Sequence, residues 1–311
     1  MRRGRTDREH GIALLNALIL VAAIAAIAAG LMLRAEHSRT RISYLQGSAQ
    51  AMLYLDAAEL LVEPVLRRDW LRDQAVDYLS ESWAANPIDA EVDRGTVRGE
   101  MRDLQGLFNV NSLSASDDGP ALEAFEHLLR DLDLSVALGR EVAAFTQLSG
   151  TGDMKAYGDR DLPVRPALHP LDDISELRLV NGVTSEIYAR LLPYVWAGPV
   201  GVSVNVNTAP RVVLAAIYPA ANGSNIDRLI AARNNAYFKD MDDYNTRLER
   251  AIPAAVLTSA RIPDGGLGVS SGWFEARFTA RLNDTVLRRR LVITRDRRTG
   301  RSDIIRRIGL Y

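Results

Sequence analysis

From Ile12 to Leu33 the chain carries 22 residues whose one strongly polar member is Asn16. A helix rises about 1.5 Å per residue, so this stretch reaches about 33 Å and can cross a hydrocarbon core of about 30 Å. The residues before it hold Arg2, Arg3, Arg5 and Arg8 against Asp7 and Glu9, a net charge of +2, and such flanks stay cytoplasmic. The remainder of the chain is thereby predicted to lie outside. A cleaved secretory signal would have a shorter apolar core, a small-residue cleavage site and then a turn; "AAIAAG" supplies the small residues, but no turn follows. Instead, past Arg34, Ile42, Leu45, Ala49, Met52 and Leu53 recur at spacings of three and four, the pattern of one face of an amphipathic helix. The two halves join without a break and predict one long helix reaching about Pro64, which kinks or ends it.

A short basic leader closing on Gly11, followed by an apolar helix that runs straight into an amphipathic one, resembles the N-terminus of type IV pilins and secretion pseudopilins. The resemblance implies that a prepilin peptidase cuts and methylates at the Gly11–Ile12 junction on the cytoplasmic face. It also implies a single-pass anchor in the bacterial inner membrane, packed in a filament with its head in the periplasm. Most members have Glu at the fifth mature position, where this chain has Asn16. Further along, "DLQGLFNVNSL" (Asp103–Leu113), "ISELRLVNGVTSEIYARLLPYV" (Ile174–Val195) and "VNVNTAPRVVLAAI" (Val204–Ile217) resemble the K-type minor pseudopilin of the type II secretion system, a family that also lacks the Glu.

That second resemblance implies a non-enzymatic subunit which, with I- and J-type minor pseudopilins and an H-type one as a further candidate, caps or initiates the tip of the periplasmic pseudopilus used to export folded proteins. Calcium is the cofactor it implies for the exterior domain. In pilins the Glu meets the amino group of a neighbouring subunit inside the apolar core. A subunit at the tip has no such neighbour on one side, and there a neutral Asn16 avoids an unpaired buried charge.

The exterior part reads as α+β. In "WFEARFTARL", Phe274, Ala276, Phe278, Ala280 and Leu282 alternate with charged or polar residues, a strand with one buried face. Asn283-Asp284 turns the chain into Thr285–Thr294, and Asp296–Gly300 turns it again into Ser302–Ile308, an antiparallel meander joined by a strand near Thr96–Met101. Between these β parts lies a helical block. Asp173 with Glu176 forms a capping-box start, Val180–Val183 a hairpin into a helix from Thr184, and Thr208 caps a helix with Pro210 in its first turn. Asn-Val-Asn occurs at Asn109–Asn111 and again at Asn205–Asn207, each time before helical sequence, and the pair reads as the two crossings between sheet and helical insert. The organisation expected is a leader at 1–11, a transmembrane half-helix at 12–33 and its amphipathic continuation at 34–85. A pilin-like head follows at 90–112 and 265–311, with an inserted domain of helix-hairpin-helix or SAM-like units at 113–264.

Composition limits the chemistry. With 47% apolar residues, 25% charged and a net charge of −1, the chain is neither disordered nor a polybasic nucleic-acid binder, and without cysteine it has no disulfide or thiolate metal site. A membrane-anchored helix-hairpin-helix DNA-binding protein of an uptake system is the rival reading, since such hairpins offer backbone amides to phosphate. Asp172, Asp173, Glu176 and Glu186 make the first hairpin acidic, however, so no nucleic-acid partner is expected. Gly268-Val269-Ser270-Ser271-Gly272 has the nucleophile-elbow spacing, which would suit a signal-anchored hydrolase, but a strand follows and His10, His37, His127 and His169 all precede it. The turn-rich stretch from Ser149 to Pro166, with Asp153, Asp159 and Asp161 and with Asp172 and Asp173 behind it, offers oxygen ligands of the kind calcium takes.

Overall fold

The computed structural model describes residues 6–114, 119–147, 157–159, 164–263 and 265–310. Helix α1 (Thr6–Glu59) is continuous over 54 residues. From Leu14 to Gln46 every residue of it is exposed. After a break at Leu60–Leu61 the chain resumes in α2 (Val62–Arg72), with Pro64 in the first turn, where a missing N–H costs no helical bond. A short α3 (Ser82–Ala85) then leads into the sheet.

The sheet has five antiparallel strands in the order β1-β2-β7-β8-β9. These are β1 (Ile88–Val92) and β2 (Gly95–Asp103), then β7 (Trp273–Leu282), β8 (Thr285–Arg295) and β9 (Ser302–Leu310). Strand β1 was not foreseen; its signal is the turn Asp93-Arg94-Gly95, where Arg94 takes a positive φ of 67°. A Cβ on Gly95 would lie 1.8 Å from the carbonyl oxygen of Arg281, so only glycine lets β2 meet β7 at that corner. The alternating apolar residues of β7 all face α1 and α2. Phe274, Ala276, Phe278, Ala280 and Leu282, with Leu287, Leu291 and Ile293 of β8, enclose Ala51, Leu55, Ala58, Val62 and Leu66. At about 25 cal/mol per Å² of apolar surface, burial of this kind is the main force holding helix to sheet.

The sheet has a defined direction relative to the membrane span. Gly47 of α1 lies beside Thr285, while Asp56 and Glu59, farther from the span, meet Arg289 of β8. At the far end Trp70 Nε1 donates to the carbonyl of Arg297 in the β8–β9 turn. The turns Asp93-Arg94 and Asn283-Asp284 therefore point toward the span, and the ends at Asp103 and Trp273 point away. The helical insert leaves the sheet after Asp103 and returns just before Trp273, so it stands on the membrane-distal end.

Within the insert lie β3 (Phe108–Asn109), a 3₁₀ turn at Val110–Ser114, α4 (Pro120–Asp131) and α5 (Ala137–Thr146). A second 3₁₀ turn at Ile174–Leu179, α6 (Ser185–Leu191), β4 (Val195–Trp196) and β5 (Val204–Asn205) come next. Helices α7 (Arg211–Ile217), α8 (Gly223–Asn235), α9 (Met241–Ala251) and α10 (Ala254–Leu257) and strand β6 (Leu267–Gly268) complete it. Its core, with Phe108, Phe125, Leu128, Phe145, Leu214 and Phe238 at its centre, is separate from that of the head. Two short parallel pairings, β3 with β4 and β5 with β6, bracket it.

Candidate functional site

Three regions bear on function: the long helix, the seam where the insert meets the sheet, and the aspartates expected to hold calcium. Gly11 and Ile12 both fall within α1. The face of α1 that packs on the sheet is Ala51, Leu55 and Ala58, each at most 5% exposed. The periodic apolar stripe lies elsewhere on the helix. Ile42, Leu45, Met52 and Leu53 lie between 46% and 67% exposed, on a stripe that the head leaves open and that continues the exposed span of Leu14 to Leu33. Both stripes have helical spacing, so periodicity could not say which would meet the sheet; Ala51 and Ala58 do, because small side chains let the helix approach a crowded aromatic face.

The two Asn-Val-Asn stretches fold alike, but they are not the two crossings expected: the chain leaves the sheet after Asp103 and returns at Trp273, and only the second stretch lies at the seam. Asn109 Oδ1 accepts from the N–H of Asn111 at 3.1 Å, and Asn205 Oδ1 from the N–H of Asn207 at 3.0 Å, the same side-chain turn. The second Asn of each pair then clasps the backbone of a distant residue. Asn111 accepts from Leu171 N and donates to Leu171 O, and Asn207 does the same with Phe238. Around Asn205 stand charged groups. Its amide nitrogen donates to Asp77 O (3.1 Å), Asp103 Oδ2 (3.0 Å) and Ser271 Oγ (2.9 Å). Asp103 also accepts from the hydroxyls of Thr208 (2.5 Å) and Ser271 (2.6 Å) and from Gln105 N (2.8 Å). Asp77 accepts from Arg295 Nη2 at 2.5 and 2.7 Å and from Ser271 N at 2.7 Å. Complete burial pushes the Asp103 carboxyl up to about 6, against the pull of its hydroxyl donors.

One expectation is corrected here. Thr208 does not cap a helix: Pro210 is the N-cap of α7, and the Thr208 hydroxyl is committed to Asp103. The buried serine of the elbow-like stretch, Ser271, is a strut between Asp103 and Asn205, and Ser270 accepts through its carbonyl from Arg297. What the sequence could not supply was the meeting of residues 77, 103, 205, 271 and 295, which lie on segments far apart in the chain.

Asp173 behaves as the capping box requires. It accepts from Ser175 N while Glu176 accepts from Asp173 N. Its other oxygen meets Arg290 at 2.5 Å and Arg306 at 3.5 Å. Burial opposes its ionisation, but the bonds from Ser175 and Arg290 outweigh it and hold the carboxyl below its ordinary value. A carboxylate flanked by two guanidinium groups is a poor calcium ligand, so Asp173 does not fit that role. It belongs instead to a chain of ion pairs. Glu275, 1% exposed, joins Arg102 (2.9 Å), Arg277 (2.6 Å) and Arg290 (3.5 Å), along a cleft of about 280 Å³ between sheet and insert. Asp159 and Asp172 are exposed, Asp153 and Asp161 lie outside the described residues, and among the described residues no three acidic or histidine side chains are grouped to hold a metal.

Residues 106–200 and 204–259 match two domains described as type II secretion system (T2SS), protein K. The type II secretion system protein K of Aeromonas hydrophila is 31% identical, covering 93% of this chain and 93% of its own length. Its counterparts in Pseudomonas aeruginosa and Klebsiella pneumoniae are 30% identical over 80% of this chain and 28% identical over 98%. Among solved structures, a chain of the GspK–GspI–GspJ complex from the type 2 secretion system of enterotoxigenic Escherichia coli superposes with a TM-score of 0.73, covering 87% of this chain and 99% of that one at 23% identity.

Proposed function

This chain belongs to the type II secretion system protein K family and is a minor pseudopilin of that system, and from that premise we propose that it initiates and caps the tip of the periplasmic filament. The observation that carries this reading is the placement of the insert. It stands on the membrane-distal end of the head, where a subunit stacked farther out would have to sit. Asn16 agrees with the same position, because a tip subunit has no neighbour beyond it to offset a buried Glu.

The partners proposed are the I- and J-type minor pseudopilins, by extension from the E. coli complex, in which GspK stands with GspI and GspJ. The open stripe of Ile42, Leu45, Met52 and Leu53 supports side-by-side helix packing. Prepilin peptidase is proposed to cut between Gly11 and Ile12, leaving the head in the periplasm. Mass spectrometry of the mature protein should find Ile12 first; a start near Leu31 would point to an ordinary secretory signal. The role is structural rather than enzymatic, in keeping with a family that is a component of a secretion machine.

Calcium is proposed for the stretch between α5 and the 3₁₀ turn at Ile174, with Asp153, Asp159, Asp161 and Asp172 as oxygen donors. A ligand that binds the folded state alone adds about 2.7 kcal/mol at a hundredfold excess over Kd. Melting should therefore rise with millimolar calcium and return with chelator; no shift removes the metal. The tip assignment is tested by crosslinking in the membrane. Wild-type protein should be found at one end of the filament, and Asn16→Glu should let it enter along the length or impair initiation. Wild-type subunits spaced throughout the filament would refute the assignment.

A further inference from the structure

We infer that the β9 side of the head, from the open stripe of α1 up to arginines on α2 and the β8–β9 turn, receives the acidic head of one neighbouring pilin-like subunit. This rests on the side-by-side helix packing proposed above and adds to it the surface and the charge of the partner's head. The stripe has a defined side. Met52 is followed four and seven residues later by Asp56 and Glu59, on the same face of α1. Those two meet Arg289 of β8 and Arg307 of β9, so the stripe runs up the side where β9 is the edge of the sheet. Above Glu59 this side ends in the β8–β9 turn, which α2 holds in place. Trp70 Nε1 donates to the carbonyl of Arg297 at 3.1 Å, and a Cβ on Gly300, whose φ is 69°, would lie 2.4 Å from the indole ring.

The charges there are lopsided. Arg67, Arg68 and Arg72 of α2 and Arg297, Arg298 and Arg301 of the turn are all exposed. The acids beside them at the surface are Asp73, Asp296 and Asp303, a net of +3; Asp69 is buried and bonded by Ser82. Two of the surface acids serve the backbone, Asp73 accepting from Ala75 N and Asp296 from Arg298 N and Thr299 N. Arg301 meets Asp303 at 3.5 Å, while Arg67, Arg68, Arg72, Arg297 and Arg298 have no ion pair among the described residues. Lower on the same side, by contrast, Arg289 and Arg307 are offset by Asp56 and Glu59. Like charges gathered on a helix end and a pinned turn repel one another, and carboxylates of a partner relieve that repulsion. Lipid headgroups are out of reach, because Glu59 already lies 26 residues, about 39 Å, past Leu33, far beyond a Debye length. What fits both ends of this side is a subunit of the same build, with an apolar helix for the stripe and an acidic head for the arginines.

The full-length protein in detergent is titrated with full-length I- and J-type minor pseudopilins of the same secretion system, and affinity is read at about 0.1 and 0.5 M salt. Arg67→Glu with Arg298→Glu should weaken binding of one partner at least about tenfold and remove most of its salt dependence, while melting with the parent. The reference is Arg281→Glu with Arg288→Glu. These two exposed arginines alternate with Leu282 and Leu287 and so lie on the sheet face turned away from α1; their reversal carries the same charge change and should bind like the parent. Leu45→Ser with Met52→Ser tests the stripe separately and should also weaken binding. If the stripe variant weakens it and the Arg67, Arg298 variant does not, the helices pack as proposed but the arginines take no part, and the inference falls. An equal loss in both reversed pairs would mark a general response to charge and overturn it as well. If neither partner binds the parent, or the stripe variant binds like the parent, the side-by-side reading itself fails and takes this inference with it.

Discussion

Asn-Val-Asn at residues 109–111 and at 205–207 gives one tripeptide in two settings. Both corners turn on the side chain of the first Asn and clasp a remote backbone amide with the second. Their surroundings differ. At the first corner Asn109 bonds only backbone groups of Gly198 and Pro199 besides its own turn, so it organises the insert and nothing else. At the second, the Asn205 amide stands among Asp103, Ser271 and the backbone of Asp77, groups that belong to the head or to the segments joining it. The same local device therefore folds a helical unit in one place and fastens it to the sheet in the other. Buried charge separates the two, and this makes the second corner both the stronger joint and the one sensitive to pH.

The largest test of that difference removes the counter-ion. Arg295→Met leaves Asp77 buried without its partner and should cost about 3–5 kcal/mol, read by chemical denaturation. No substitution at the first corner exposes an unpaired charge, so none there should reach that range. Next come the clasps, which should behave as equals. Asn111→Ala and Asn207→Ala each strand a buried N–H and C=O pair and should each cost about 2–3 kcal/mol. A twofold difference between them would mean that the corners are not the same device.

A pH series sharpens the comparison further. Asp103, with an ordinary value of 3.8, is raised to about 6 in the folded chain. Between those values the folded state holds a proton that the unfolded state has released. Its contribution is therefore full below about pH 4 and is lost as pH rises through 6, a decline of about 2–3 kcal/mol. Glu81, which burial pushes up to about 9, adds slope of the same sign at higher pH. Asp103→Asn should flatten the acidic part of the curve, whereas Asn109→Ala should leave its shape unchanged, because no titratable side chain bonds the first corner. The smallest effect compares the two hydroxyls. Thr208→Val removes a donor to the Asp103 carboxylate, while Ser112→Ala removes a donor to the Asn109 carbonyl, and the first should cost about 1 kcal/mol more.

These corners also mark how far the sequence could be read. The doubled Asn-Val-Asn and its turn-forming role were visible, because an Asn side chain bonds its own backbone two residues on. The clasp partners were not, since Leu171 and Phe238 are 60 and 31 residues away. Thr208 had the look of a helix cap, but the helix is capped two residues later, at Pro210, and the Thr208 hydroxyl donates to Asp103. Strand β1 was missed because Ala90, Glu91 and Asp89 carry no apolar alternation, as befits an exposed edge.

By itself the sequence determined the span, the continuous helix, the alternating strand at Phe274–Leu282 and the capping box at Asp173. Each rests on a period or spacing of a few residues that the backbone imposes locally. Tertiary structure alone decided which stripe of α1 meets the sheet. Ala51, Leu55 and Ala58 turn inward and Ile42, Leu45 and Met52 stay open, because shape complementarity to Phe274 and Phe278 is a property of two surfaces and not of either sequence. It also decided that Asp173 serves arginines rather than a metal, and that five distant residues form one buried joint, since electrostatic partners are chosen by distance in space and the chain sets only distance along itself.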